Sequence, residues 1–524
     1  MADFDAVIVG AGHNALVCAL YLASAGWRVG VFERAAEVGG GMRSGELTGP
    51  GVLHDLYATN VGLFAASPAY HDFKTRFDQA GLTLLRPDKP YASVFAIGAL
   101  RVYHDTDATS REFAKFHPGD AGGWAALHAL FKRTAPHFLP LFNLPMPSWA
   151  AAKQALRLAC ASPTDAARLA RLLRQSSQDF IAPYLQSEEA RGLFASWAHH
   201  LDFGPDVPGG ATFAFVAAMA GYQGGMAVAE GGAGRISETM RQLIEAAGGR
   251  VTTRAEVTRI VVARGRAVAV ELADGAHVTF SKAIVAGVTP RNLYRRLLGA
   301  ADLDPGFLRK VDAYRYGAGT FIIHLVLNGA PSWRFAEDLA AFNYVHLCGS
   351  EAEIAATYRQ CGEGELPTRP LLVVSQPTAI DPTRAPTGQS IMRVHVRTVP
   401  GAIRRDAGGT IQATSWQEAR EPFADRVLDL VSEQVPNLRR AIAAIRIVDP
   451  HEIECDNPNF IGGDCVSGSH HHDQNFFNRP FRGWSRYRTP IDGLYVTGAS
   501  TWPGGGVNAG SGYLAAQELL RRCG

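Results

Sequence analysis

The chain opens with an apolar run that breaks into Gly10-Ala11-Gly12-His13-Asn14-Ala15, and a second apolar run, Arg28 to Phe32, ends on Glu33. This order predicts a buried strand, a tight glycine turn and a helix whose N-terminus faces a pyrophosphate, with an acidic side chain placed for an adenosine ribose. Gly10 takes a turn that a side chain would strain, and Gly12 lets the backbone approach the phosphates. Ala15 stands where a third glycine is usual and is still small enough for close helix–strand packing. A glycine turn alone also fits a plain loop, and Glu33 alone fits a solvated strand end. The combination selects the dinucleotide reading, with Gly10, Gly12, His13, Asn14 and Glu33 as candidate binding residues.

At 524 residues and 47% hydrophobic content the chain can bury an extensive core, and it is too long for one domain of ordinary size. Two intertwined domains are therefore expected. A formal charge of +2, with no basic block interleaved with aromatics, gives no footprint for nucleic acid. The seven cysteines are far apart and form no CxxC pair, which fits a reducing compartment. Cys455 and Cys465 give only a faint metal or redox signal, and no metal site is expected. The first strand begins almost at once, leaving no room for a secretory leader, and no apolar run reaches the roughly 20 residues needed to span a bilayer. A cytoplasmic protein is expected. The segment between Leu127 and Leu173 mixes apolar and aromatic residues with Arg and Lys. It reads as a helical cap on the substrate domain, with a lipid-facing lid in peripheral membrane contact as the alternative.

Further along, short strands are expected over 81–105 and mainly helix over 108–200, divided by the prolines flanking Met146 and by Pro163. A packed helix is expected around Thr212 to Met219. Gly231 to Gly234 precede a helix, Ile236 to Ala247, which Gly248-Gly249 stops. Strands follow at Val257–Val262, Ala267–Leu272 and Ala283–Val285, with Asp274-Gly275 as a hairpin turn. Tyr314–Leu327 and Ile391–Arg397 read as strands of the second domain. The expected fold class is α/β with an α+β second domain: a Rossmann-like cofactor-binding domain interleaved with a β-sheet substrate domain and helical cap. Its cofactor parts are 1–65, 226–298 and 466–524, and its substrate parts are 66–225 and 299–465.

More distant motifs make the pattern specific. They are Glu33-Arg34, Val38-Gly39-Gly40-Gly41-Met42, His54-Asp55 and Phe477-Asn478-Arg479-Pro480, then Tyr487-Arg488-Thr489-Pro490-Ile491-Asp492-Gly493-Leu494-Tyr495-Val496-Thr497-Gly498-Ala499 and Trp502-Pro503-Gly504-Gly505-Gly506-Val507. With the opening, they resemble the flavin-dependent phytoene desaturase and related oxidoreductase family, in particular its bacterial carotenoid-ketolase-like and pyridine nucleotide-disulfide oxidoreductase domain-like branch. The resemblance implies FAD and an FAD-dependent oxidoreductase. It implies that Gly39, Gly40 and Gly41 let the backbone approach the diphosphate and ribityl chain, that Met42 and Arg43 follow towards the flavin end, that Arg34 is among the cofactor-binding residues beside Glu33, that Val257 lies near adenine, and that Gly498 and Ala499 bring a second backbone segment to the cofactor. Val507 and Asn508 would begin a final helix beneath the flavin ring.

The resemblance also suggests a hydrophobic isoprenoid or carotenoid-like substrate that is oxidised or desaturated. A flavin-dependent amine oxidase and a non-catalytic FAD-containing interaction protein are the alternatives. An aromatic cage near Trp502 would favour an amine, and a long apolar tunnel would favour a lipid. No local group announces the chemical step. His470-His471-His472-Asp473 fits a loop, or proton transfer and active-site shaping through His471 and Asp473, while Tyr57, Asn60 and Trp502 fit either flavin contact or packing. The electron acceptor and oligomeric state stay open.

Overall fold

The strand Phe4–Val9 buries Ala6, Val7 and Ile8 completely, because both of its faces are covered. Ala6 and Ile8 point into a core shared with the helices His13–Ser24, Gly234–Ala246 and Gly510–Cys523, whereas Val7 and Val9 point into a second core with Val257, Ile260 and Leu293. A computed structural model describes residues 2–299 and 303–523. In it this strand lies within a seven-stranded sheet, ordered Val257–Ala263, Arg266–Leu272, His277–Ala286, Phe4–Val9, Val29–Phe32, Arg250–Thr252. The seventh strand, Leu494–Val496, pairs in parallel with the C-terminal half of His277–Ala286. The helices His13–Ser24 and Gly510–Cys523 pack so closely that a Cβ on Gly512 would lie 2.1 Å from the Asn14 carbonyl oxygen. Only glycine fits there.

The second sheet also has seven strands, in the order Ile442–Val448, Gly319–Asn328, Gln389–Val399, Leu372–Ser375, Tyr344–Leu347, Tyr91–Phe95, Gly98–Val102. Its pairs are antiparallel except for Tyr91–Phe95 beside Tyr344–Leu347. One face is apolar. Phe321, Ile323, Met392, Val394 and Val396 pack there on Trp416, Phe423 and Val427 of the helix Trp416–Ser432. The opposite face roofs the site described below.

The helices Pro118–Phe138, Glu188–Ala198 and Gly210–Gly224 form a third core around Trp124, Phe131, Phe194 and Phe215. The helix Trp149–Ala161 lies outside it and leaves Trp149 85% and Leu156 62% exposed. Among the described residues, no helix is long and apolar enough to cross a membrane.

Local differences from the sequence reading have physical causes. The helix expected at Thr212–Met219 extends over Gly210–Gly224: of each flanking glycine pair the inner residue stays helical, and only the outer ones, Gly209 at φ 92° and Gly225 at φ 68°, end it. The final helix begins at Gly510, not at Val507 or Asn508: the Asn508 Oδ1 accepts from the Gly510 N–H at 2.9 Å, and Ala509 takes a left-handed turn at φ 60°. All seven cysteines are free.

A buried ionic node ties the parts together. Arg384, with a fully buried side chain, donates to Asp55 at 2.6 Å, to Asp381 at 3.0 Å and to the Ala229 carbonyl at 2.7 Å. Asp55 in turn accepts from the Ala233 N–H and the Ser44 hydroxyl, both at 2.7 Å. Segments near 44–55, 229–233 and 381–384 are thereby locked at one point.

Candidate cofactor and substrate site

One cavity of about 630 Å³ runs from the first glycine turn to the second sheet. At one end it is lined by Gly10, Gly12, His13, Glu33, Arg34, Gly40, Gly41, Val257, Gly498, Ala499, Val507 and Asn508, which are far apart in sequence. Gly10 has φ 86°, a left-handed value that a side chain resists. A methyl group on Gly12 would meet nothing within 4 Å, so this Cα faces open cavity. The Cβ position of Gly40 lies 3.1 Å from the Gly12 Cα, which sets the two glycine segments against each other. Glu33 fastens the turn from below: one carboxylate oxygen accepts from the Ala11 N–H at 2.7 Å and the other from the Ala35 N–H at 2.8 Å. The helix His13–Ser24 starts at Gly12 with no side-chain cap and no acidic residue in its first turn. Its first N–H groups are therefore available to an anion. His13, pushed down to about 4 by burial, stays neutral beside them. Glycines that leave backbone bare, an uncapped helix N-terminus and a carboxylate at the far side together fit an adenine dinucleotide.

Arg479, from the Phe477–Pro480 motif, has a fully buried guanidinium that donates to the Ala499 carbonyl at 2.9 and 2.6 Å and to the Ser469 carbonyl at 2.8 Å. It fixes the Gly498-Ala499 segment against the loop carrying the histidine run. Asn14 lines the cavity, but its side chain is engaged: its Oδ1 accepts from the Gly512 N–H at 3.1 Å, and its Nδ2 lies 3.0 Å from the His13 Nε2.

Several candidates lie elsewhere. Met42 is completely buried in the core beneath the glycine segment, because its carbonyl is held by the Ser237 hydroxyl at 3.0 Å and its side chain turns inward. Trp502 does not reach the cavity. Its ring stacks on Phe142, centroids 5.5 Å apart and 11° from parallel, and its Nε1 donates to the Leu144 carbonyl at 3.0 Å. Asp473 is exposed and pairs with Arg315 at 2.6 Å, and His471 stacks on Phe203 with its Nε2 bonded to the Asp202 carbonyl at 3.0 Å. Neither faces the cavity, because the loop turns the neighbouring His470 inward instead. His470 lines the cavity and its Nε2 accepts from the Gly505 N–H at 2.8 Å, which occupies the lone pair a base would need. Tyr57 does line the cavity. Its hydroxyl donates to Asp456 at 2.5 Å, and Arg43 pairs with the same carboxylate. Asn60 also lines it, accepting from the Gly62 N–H at 2.9 Å. Among the described residues, no group of three or more His, Cys, Asp or Glu is placed to hold a metal ion.

A titratable acid, Asp202 at the end of the turn His199–Leu201, packs against the loop that carries His471. Burial pushes the Asp202 carboxyl up to about 7, against a hydrogen bond from Ser469 and aided by the nearby Asp464. The folded state thus favours the protonated form, so stability is greatest below the unfolded value near 3.8 and falls as pH rises towards 7. Asp202→Asn, which also suits the left-handed φ of 68° at this position, is expected to resist urea better than wild type at pH 8, by on the order of 1 kcal/mol or more, and equally at pH 4. Equal midpoints at pH 8 would show that this carboxyl is ionised without cost.

The far end of the cavity holds residues that sequence reasoning missed. Arg393, His395 and Arg397 alternate with Met392, Val394 and Val396 on one strand, so the first set lines the cavity and the second faces the apolar core. Their cross-strand neighbours Ser375, opposite Arg393, and Val373, opposite His395, line the cavity too, as does Tyr344 opposite Ser375. The period-two alternation of basic and apolar residues at 391–397 was a readable signal. The opposing wall is apolar: Phe213, Val216, Ala217 and Ala220 from one side of the helix Gly210–Gly224, with Leu139 and Phe142.

A Rossmann-like sheet with an adenine-dinucleotide cradle opens into a chamber roofed by a second sheet, and together with the family match this makes the chain an FAD-dependent oxidoreductase. Residues 16–520 match the family described as flavin containing amine oxidoreductase, and the chain belongs to that family. It is 26% identical to the mouse pyridine nucleotide-disulfide oxidoreductase domain-containing protein 2, over 99% of this chain and 94% of that protein. It is likewise 26% identical to a lycopene-forming phytoene desaturase from a Paracoccus species, over 98% of this chain and 97% of that protein. Among solved structures, the cyclohexylamine oxidase from Brevibacterium oxydans superposes with a TM-score of 0.61 at 17% identity, covering 99% of both chains.

Proposed function

We propose that this enzyme oxidises or desaturates a hydrophobic, isoprenoid or carotenoid-like substrate. The observation that carries the reading is the apolar wall of Phe142, Phe213, Val216, Ala217 and Ala220, continuous with the cofactor cradle in one cavity. Removing such a molecule from water is favourable by about 25 cal/mol per Å² buried, which provides the binding energy that positions it. The relative named for phytoene, an isoprenoid hydrocarbon, supports the same class.

In this reading Gly10, Gly12, Gly40 and Gly41 hold the diphosphate, with the N-terminus of His13–Ser24 facing it, and His13 and Asn14 close the turn. Glu33 and Arg34 hold the adenosine ribose, and Val257 lies against adenine. Gly498, Ala499, Val507 and Asn508 flank the flavin end. FAD, when bound, supplies the acceptor for the electrons removed from the substrate. The chain's own part is to orient the substrate, exclude water and keep the cradle rigid through Tyr57, Arg43, Asp456 and Arg479. His470 holds the 504–506 turn through Gly505. Electrons leave to an acceptor of unassigned class, and substrate enters beneath the 127–173 cap, where peripheral membrane contact would suit the exposed Trp149 and Leu156.

The amine reading fits the cavity less well. The parallel aromatic pairs Phe142–Trp502 and Trp197–Tyr344, centroids 5.5 and 5.7 Å apart, are closed stacks with no room for an amine between the rings. Arg393 and Arg397 would also repel an ammonium. Anaerobic mixing of the purified holoenzyme with polyenes and with amines, followed by mass spectrometry, tests the proposal. Flavin bleaching with a desaturated or oxygenated polyene is expected, and bleaching by amines alone would overturn it.

A further inference from the structure

The roof of the chamber has a chemistry that a plain hydrocarbon does not use. Arg393 is 4% exposed; its Nη2 donates to the Tyr57 carbonyl at 2.5 Å, its Nη1 lies 3.4 Å from the His395 Nδ1, and its Nε has no protein partner. Arg397 donates to the His200 carbonyl, and its Nε is likewise unpartnered. Between them on the same strand face stands His395, 6% exposed, whose Nε2 has no partner, and opposite Arg393 the Ser375 hydroxyl has none. All four residues line the cavity.

Among the described residues, neither guanidinium forms an ion pair with a carboxylate. The acids in this region are already engaged: Asp55 and Asp381 by Arg384, and Asp456 by Arg43 and Tyr57. Burial lowers Arg393 only to about 10, so it is cationic at neutral pH, while burial and the neighbouring arginines push His200 and His395 far down and keep them neutral. The positive charge here therefore belongs to the two arginines. Buried Arg393 without a counter-charge costs several kcal/mol unless a ligand supplies one, and half-buried Arg397 beside it adds to that demand. Arginine is the side chain whose planar fork matches a carboxylate.

We propose that the substrate is an apolar molecule ending in a carboxylate, with its hydrocarbon body along the Gly210–Gly224 wall and its carboxylate held by Arg393 and Arg397, with Ser375 and His395 completing the hydrogen bonds. This deepens the isoprenoid reading and rests on it for the body of the molecule, but not for the head group.

The test is equilibrium binding to the holoenzyme, read by quenching of tryptophan fluorescence, for geranylgeranoic acid, its methyl ester and geranylgeraniol, and for palmitate against hexadecanol. The acid is expected to bind at least about tenfold more tightly than ester or alcohol. Arg397→Gln should erase that preference while leaving ester affinity unchanged, and Arg397→Lys should restore part of it. Equal affinities of acid, ester and alcohol in both series would overturn the proposal, and this arm uses the wild-type protein, so it does not depend on a variant folding. An acid preference confined to palmitate, with no isoprenoid bound, would sustain the carboxylate site and overturn the isoprenoid reading. Binding of the isoprenoid acid without flavin bleaching would leave the head-group assignment standing and remove the isoprenoid as the reacting molecule.

Discussion

Gly12→Val is expected to give a folded but colourless protein. The new side chain would meet no protein atom at its Cβ, because Gly12 faces open cavity, and its φ of −64° suits any L-residue. Folding of the flavin-free chain should therefore be unchanged. The branched side chain instead occupies the space through which the backbone approaches the diphosphate, and it shields the uncapped N–H groups of His13–Ser24. FAD affinity should fall by at least about 100-fold, or roughly 2.7 kcal/mol. Added FAD should raise the unfolding temperature of flavin-free wild type and leave that of the variant where it was. Retention of stoichiometric flavin by the variant would place the diphosphate elsewhere. A valine at Gly39 makes the contrast: there a Cβ would lie 2.3 Å from the Met42 carbonyl oxygen at φ 121°, so the fold itself should suffer.

Arg384→Met should lose about 3–5 kcal/mol of stability, since it strands two buried carboxylates, Asp55 and Asp381, that the guanidinium now serves at 2.6 and 3.0 Å. The loss has a pH signature. Burial alone would raise Asp381, but hydrogen bonds from Thr383, the Gly231 N–H and Arg384 outweigh it and hold its carboxyl below the usual 3.8. In wild type this group therefore contributes stability above pH 3.8 that is lost as pH falls through its lower folded value. Without Arg384 the buried Asp381 loses a group that favours its charged form, so the variant's deficit should be largest near pH 7 and shrink towards pH 4. Urea unfolding at both pH values measures this. A deficit independent of pH would mean that packing, not charge, accounts for Arg384.

The contrast between these sites shows where sequence is informative. Gly12 was legible because its role is local: a strand, a turn and a helix within about a dozen residues dictate where the backbone must be bare. Arg384 was not singled out, since the partners that make it a lock between segments, Asp55 and the Ala229 carbonyl, lie 329 and 155 residues away. His471 and Asp473 were legible as chemistry-bearing side chains, but a loop has no fixed periodicity, and which of its residues turns inward is set by what packs on it. Here Phe203 takes the His471 ring and the Gly505 N–H takes His470. Trp502 followed the same logic: a large indole beside a glycine-rich turn could face a cavity or a core, and Phe142 and the Leu144 carbonyl drew it into the core.

The sequence alone determined the dinucleotide turn, the return hairpin over 257–286 and the division by glycine and proline, because each rests on backbone conformations and spacings that neighbouring residues impose, while the flavin-dependent family was legible only as a resemblance carried by motifs spread from Glu33 to Val507. The tertiary structure alone decided what the chamber is made of. Arg393, His395 and Arg397 share a strand face by their spacing, yet that face becomes the cavity lining only because the helix Trp416–Ser432 covers the other face and the helix Gly210–Gly224 stands opposite. Alternation along a strand is local, but which of its two faces is buried depends on segments folded in from elsewhere in the chain.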